Sequence, residues 1–160
     1  MSQESGAAAA GAGDEFVTFE IAGRLFGAPV SEINDVFALH GLTPVPLARG
    51  DVAGLMNLRG RIITVIDARR RLGLPARNDG VKTAMAIGIE REGESYGLLV
   101  DALGEVLRLE PDQFEDNPVN LDEAWRTVCR GVYRLKKGLL LTLDMNRMLD
   151  APTTSAQAAA

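Results

Sequence analysis

Phe16-Val-Thr-Phe-Glu-Ile21 alternates apolar and polar residues, the period-two pattern of a half-buried strand. Ala22-Gly-Arg24 follows as a turn, and Leu25-Phe-Gly-Ala-Pro-Val30 reads as the returning strand. Pro29 has no N–H to donate, so it belongs at the end of that strand or on an edge. Met85-Ala-Ile-Gly-Ile89, Glu90-Arg-Glu-Gly-Glu94 and Tyr96-Gly-Leu-Leu-Val100 repeat the sequence of strand, turn and returning strand.

The two stretches match residue by residue. Phe26–Leu39 lies over Tyr96–Leu109, with the aromatic-glycine pair, Val30/Val100, Ile33/Leu103, Asp35/Glu105, Val36/Val106 and Leu39/Leu109 in step. Ser31 and Asp101 each fall where a short helical turn would take its N-cap. A second correspondence sets Leu58–Leu72 over Leu135–Leu149. Each reads as a basic, glycine-containing turn, an apolar strand, an N-capping aspartate (Asp67, Asp144) and a short helix ending on leucine. Gly73 and Pro75 stop the first helix.

A period of roughly 70 to 77 residues is too long for a solenoid, so the pattern predicts two related lobes. Each offers about five short strands and little helix, which fits a small closed barrel without exposed sheet edges. The expected fold is mainly β: two small five-stranded barrel lobes forming a pseudo-repeat, with a few short helices. The folded part is expected at residues 15–150, with one lobe at about 15–75, the other at about 82–150, and room for strand exchange between them. Residues 1–14 and 151–160 are small and polar without periodicity, and are expected to be unstructured tails.

Composition supports this picture. Hydrophobic residues make up 46% of the chain and aromatics 5%, so the apolar mass is Val, Ile and Leu, which suits sheets. A net charge of −5 gives no general pull toward nucleic acid or anionic membrane. The single cysteine, Cys129, excludes an internal disulfide framework and any multi-cysteine metal site. With no signal-like N-terminus and no run of about 20 apolar residues, the expectation is a soluble, cytoplasmic chain without direct membrane insertion.

Catalytic chemistry finds no footing. His40 stands alone beside Gly41 and reads as a turn residue, not a metal ligand. Ser31 has no local base and reads as a cap. Asp67 and Asp144 begin helices, Glu90, Glu92 and Glu94 decorate a turn, and Asp112, Glu115 and Asp116 fall in a proline-flanked loop. There is no phosphate-binding glycine loop. Arg69-Arg70-Arg71 reads as the solvated face of a short helix; an acidic chain with few stacking aromatics argues against nucleic acid. The expectation is no catalytic residue, no metal and no cofactor.

What remains is Gly54-Leu-Met-Asn-Leu-Arg-Gly-Arg-Ile-Ile-Thr-Val-Ile-Asp67, where Arg59 precedes a glycine suited to a tight turn. A carboxylate that orients Arg59 would present a fixed guanidinium at the lobe junction, and Asp35 is the candidate. Asn57-Leu-Arg-Gly60, the strand closing on Val65-Ile-Asp67, and the basic helix ending Leu72-Gly-Leu-Pro75 resemble the signature of CheW domains. The resemblance continues through Phe26-Gly27, Ser31–Val36, Tyr96–Asp101, Val106–Gln113 and Leu139–Leu149, and so covers essentially residues 15–150.

That resemblance implies two packed SH3-like barrels and a non-catalytic adaptor role. One surface would bind the regulatory domain of a CheA-type histidine kinase, and another the cytoplasmic tip of a chemoreceptor. It further implies that Arg59 is functionally important and pairs with Asp35. The family commonly has glutamate there, so a pair of shorter reach, or one bridged by water, is expected. The protein-binding candidates are Asp35, Ile33, Val36, Asn57, Arg59 and Gly60, with Ile33 and Val36 lining a groove between the lobes that fits a helical receptor tip. The alternatives are a CheW-like scaffold of a non-flagellar chemosensory pathway and a small ligand-binding β-barrel.

Overall fold

Alternation and glycine turns become hairpins where the sequence places them. A computed structural model describes residues 15–48, 50–75, 85–136 and 138–150; the two expected tails lie outside these. The strands are β1 (Glu15–Ile21), β2 (Arg24–Pro29), β3 (Asp35–Ala38), β4 (Val52–Leu58), β5 (Arg61–Asp67), β6 (Met85–Arg91), β7 (Glu94–Val100), β8 (Ala102–Arg108), β9 (Phe114–Glu115), β10 (Cys129–Leu135) and β11 (Gly138–Leu143). Three short helices join them: α1 (Ala68–Arg71), α2 (Glu123–Val128) and α3 (Met145–Leu149). Ala22-Gly23, Arg59-Gly60 and Glu92-Gly93 all have positive φ at both turn positions. That is the twist a two-residue hairpin needs to match its strands.

The strands form two mixed sheets, a six-stranded one ordered β8-β1-β2-β11-β10-β9 and a five-stranded one ordered β3-β6-β7-β5-β4. The sixth strand is the two-residue β9, in the segment expected to be a charged loop. Each sheet draws on both halves of the chain. β2 runs parallel to β11 with Phe26 opposite Leu141, and β7 runs parallel to β5 with Tyr96 opposite Thr64. The two halves therefore exchange their first hairpins in matching register.

The match extends to irregularities. β10 shifts register between Cys129 and Gly131, and β4 shifts between Val52 and Gly54. Both glycines sit under an incoming chain. A Cβ on Gly54 would lie 2.5 Å from the Thr43 carbonyl oxygen, and one on Gly131 2.6 Å from that of Glu115. β9 pairs with β10 at this point, and Thr43 bridges to Leu55 of β4. The chain thus leaves each sheet at one edge and returns at the other, curling it into a barrel.

Three apolar clusters follow. Phe16, Leu109, Tyr133 and Leu140 fill the first barrel, while Phe37, Leu39, Met56, Ile63, Val65, Ala86 and Leu99 fill the second. A larger shared core, including Phe19, Phe26, Ile66, Ile87, Leu98, Trp125 and Leu143, lies between them. Each such side chain contributes roughly 1.5–3 kcal/mol on full burial.

Asp67 and Asp144 cap α1 and α3 by accepting from the backbone N–H of Arg69 and Arg147. Ser31 and Asp101 do not act as caps. Ser31 lies inside a single 3-10 turn, Val30–Glu32, and Asp101 leads directly into β8. The Asp101 carboxylate instead accepts from Ala22 N–H (2.7 Å) and takes the Arg69 guanidinium at 2.7 Å. The arginine triplet is likewise not one solvated face. Arg71 is buried and donates to the carbonyls of Met148 and Arg147, which anchors α3. Only Arg70 stays largely exposed.

Candidate protein-binding site

The β4–β5 hairpin is fixed from within. The Asn57 side-chain oxygen accepts from Gly60 N–H at 3.0 Å, and Arg59 takes the left-handed conformation (φ +53°) that starts the turn. From there the Arg59 Nη1 donates to Asp35 Oδ2 at 3.3 Å, while Asp35 Oδ1 accepts from Val36 N–H at 2.8 Å. The pair is direct, so the shorter aspartate still reaches. Its side chains are 73% and 42% exposed, a setting in which an ion pair adds about 0–1 kcal/mol to stability. Its geometric consequence is a guanidinium oriented toward Asp35 at the surface.

The six candidates divide. Asp35, Asn57, Arg59 and Gly60 gather at the mouth of the second barrel, next to a cavity of about 120 Å³ lined by residues of that barrel. The guanidinium thus stands over this cavity, whose lining includes Ile89 of the shared core and Tyr96, which packs against that core. Val36 faces solvent beside it, at 41% exposure, whereas Ile33 packs against the shared core.

Arg61 flanks Gly60 on the other side and was not singled out from the sequence. Its Nη2 donates to Glu90 Oε2 at 2.6 Å and to Ser95 Oγ at 2.5 Å. Glu90 and Ser95 are themselves cross-strand partners on β6 and β7. A second ion cluster joins the two halves: Arg130 Nη2 meets Glu32 Oε2 at 2.7 Å and its Nε meets Asp144 Oδ2 at 3.5 Å. Burial opposes the Arg130 charge, but hydrogen bonds and attraction to these two carboxylates outweigh it and hold its pKa above the usual value.

Trp125 falls in α2, and its Nε1 donates to the Leu72 carbonyl. Arg24 stacks on its ring at 5.1 Å in a broad cleft of about 920 Å³. Cys129 is buried, which pushes its thiol pKa up to about 12 and leaves it protonated. His40 is exposed. Among the described residues, no group of three or more His, Cys, Asp or Glu is placed to hold a metal, and no helix is long and apolar enough to cross a membrane.

Two interlocked barrels around a common core, with two arginine–carboxylate pairs at one end, make a double-barrel β domain. The chain belongs to the family of the CheW-like domain, whose model matches residues 15–153. It is 30% identical over 139 residues to the chemotaxis protein CheW of Thermotoga maritima, covering 87% of this chain and 89% of that relative. It is 24% identical over 144 residues to CheW of Rhizobium meliloti, covering 90% and 92%. It is also 27% identical over 128 residues to the protein PilI of Pseudomonas aeruginosa, covering 78% and 70%. The crystal structure of the scaffolding protein TtCheW from Thermoanaerobacter tengcongensis superimposes with a TM-score of 0.71 at 27% identity, over 81% of this chain and 88% of that one. These are distant homologues, and they identify a non-catalytic CheW-like scaffold of chemotaxis signalling.

Proposed function

We propose that the chain couples chemoreceptors (methyl-accepting chemotaxis proteins) to a CheA-type histidine kinase, in the cytoplasm at membrane-bound receptor arrays. The second-barrel mouth, with Asp35, Arg59 and its bracing residues Asn57 and Gly60, takes the kinase regulatory domain. The receptor tip takes the apolar surface around Ile33 and Val36. The observation that carries this reading is the Arg59–Asp35 pair at 3.3 Å: it fixes a cation yet leaves it 73% exposed, so its donors face outward. A rigid body with two binding surfaces couples its partners by holding them at high effective concentration.

The test is a pull-down with a CheA-type regulatory domain and a receptor cytoplasmic fragment, each alone and then together. Retention of both supports coupling; retention of neither removes the proposal. Arg59→Glu should remain folded by circular dichroism and weaken kinase activation in the reconstituted complex. An unfolded Arg59→Glu chain would make Arg59 a structural residue.

The similarity to PilI favours a second reading within the same mechanism, a scaffold of a pathway other than the flagellar one. Binding assays against receptor–kinase sets from each kind of pathway separate the two.

A further inference from the structure

The cavity at the mouth of the second barrel has its own chemistry. Phe37, Leu58, Ile63, Ile89 and Tyr96 contribute apolar walls. Two arginine–carboxylate pairs, Arg59–Asp35 and Arg61–Glu90, stand on its rim. We propose that this cavity is a socket for one aliphatic side chain of the kinase regulatory domain, and that Arg59 and Arg61 together receive a carboxylate carried beside it. This rests on the reading of the chain as a kinase coupler and names the chemistry the kinase brings.

Size selects the occupant. An apolar cavity of about 150 Å³ holds a benzene molecule. One of about 120 Å³ suits a branched aliphatic group better than an aromatic ring. Ligand pockets for free metabolites run to roughly 300–1,000 Å³, so a side chain anchored on a partner is the better match than a small molecule. An exposed apolar residue nearby extends the contact: Ile62 on β5, 59% exposed.

Charge selects the neighbour. A guanidinium carries five N–H donors. Among the described residues, Arg59 commits Nη1 alone, to Asp35, and Arg61 commits Nη2 alone, to Glu90 and Ser95. The unused donors of both side chains flank one hairpin turn. A carboxylate arriving there gains charge-assisted hydrogen bonds from arginines that their own carboxylates already orient toward the rim. Asp35 and Glu90 also repel a carboxylate that arrives anywhere but at the donors, which adds orientation.

The test is calorimetric titration of the full chain with a CheA-type regulatory domain. Arg61→Glu should weaken binding at least tenfold, and Leu58→Trp, which closes the socket, should do the same. Both variants should keep the circular dichroism spectrum and the receptor-fragment affinity of the wild type. In the methyl-labelled wild-type complex, nuclear Overhauser contacts should link a kinase aliphatic methyl to the Phe37 and Tyr96 rings. If the wild type binds and Arg59→Glu weakens it, yet Arg61→Glu binds normally and the ring contacts are missing, the socket is wrong and the coupling reading survives. If the wild type does not bind the domain at all, both fall.

Discussion

The two barrels have the same strand register and opposite fillings. In the first, Tyr133 packs against Phe114 with ring centroids 5.1 Å apart and against Phe16 at 5.3 Å. At the positions corresponding to Tyr133 and Phe16, the second barrel has Met56 and Ala86, and its own ring, Phe37, lines an open cavity. The rims differ in the same sense. Asp35 and Arg59 pair, but their counterparts Glu105 and Lys136 form no ion pair among the described residues. The counterpart of Arg61 is Gly138, which offers no cation. One backbone plan thus supports a body closed by aromatics and a face kept open and charged. The proposed recognition site lies where interior volume was given up.

The sharpest way to break this comparison is to empty the closed barrel. Tyr133 is 1% exposed, and truncating a buried aromatic costs about 3–5 kcal/mol. Tyr133→Ala should therefore lower the urea midpoint more than any substitution at the second-barrel rim. A loss below about 1 kcal/mol would mean that the first barrel collapses around the gap and is not the rigid partner. Arg130→Met comes next. It removes charged hydrogen bonds to Glu32 and Asp144 that have no counterpart in the second barrel, where the corresponding residue is Ala53. Hydrogen bonds to charged groups contribute about 1.5–3 kcal/mol, so the same denaturation assay should show a loss in that range. The partial exposure of the pair favours the lower end.

Much of the comparison was legible in the sequence, because it depends on short-range rules. Alternation marked the hairpins, the aspartates before α1 and α3 announced their caps, and the aligned aromatic-glycine pairs sit in equivalent parallel ladders. Arg59 and Asp35 were likewise readable as a pair. What stayed hidden depends on which distant elements meet. Arg71 looked solvated until α3 folded over it, and Asp101 looked like a cap until Arg69 and Ala22 claimed its carboxylate. The Arg61–Glu90–Ser95 cluster spans three strands, and Glu90 appeared only as turn decoration. Its available signal was a cation on each side of Gly60. Trp125 lay in a segment without a clear pattern; its burial comes from packing on the shared core.

Cys129 sharpens the comparison through pH. It begins β10 at the register shift where β4 has Val52, and burial raises its thiol pKa from 9.0 to about 12. The folded chain keeps the proton that the unfolded chain releases. The stabilisation is therefore complete below about pH 9 and is lost as pH rises from there toward 12, at up to about 1.4 kcal/mol per unit. Urea midpoints measured from pH 8 to 10.5 should fall, and Cys129→Val, which installs the residue of the other barrel, should flatten that part of the slope. A thiol reagent should modify Cys129 only as fast as the chain unfolds; rapid modification at pH 8 would contradict its burial.

The smallest effect concerns the rim itself. Double-mutant cycles on Arg59/Asp35 and Arg61/Glu90 should give coupling energies of about 0.2–1 kcal/mol, as for other exposed pairs. The Arg61 pair should be the stronger of the two. Its 2.6 Å contact is shorter than the 3.3 Å contact of Arg59, and Ser95 holds the same nitrogen. Both couplings should shrink in 1 M salt, where the Debye length is about 3 Å. A coupling above about 2 kcal/mol at either pair would recast the arginines as structural members of the second barrel. Small couplings together with a large loss of kinase binding would show that this rim is held in place for a partner, which the first barrel's Lys136 and Glu105 are not.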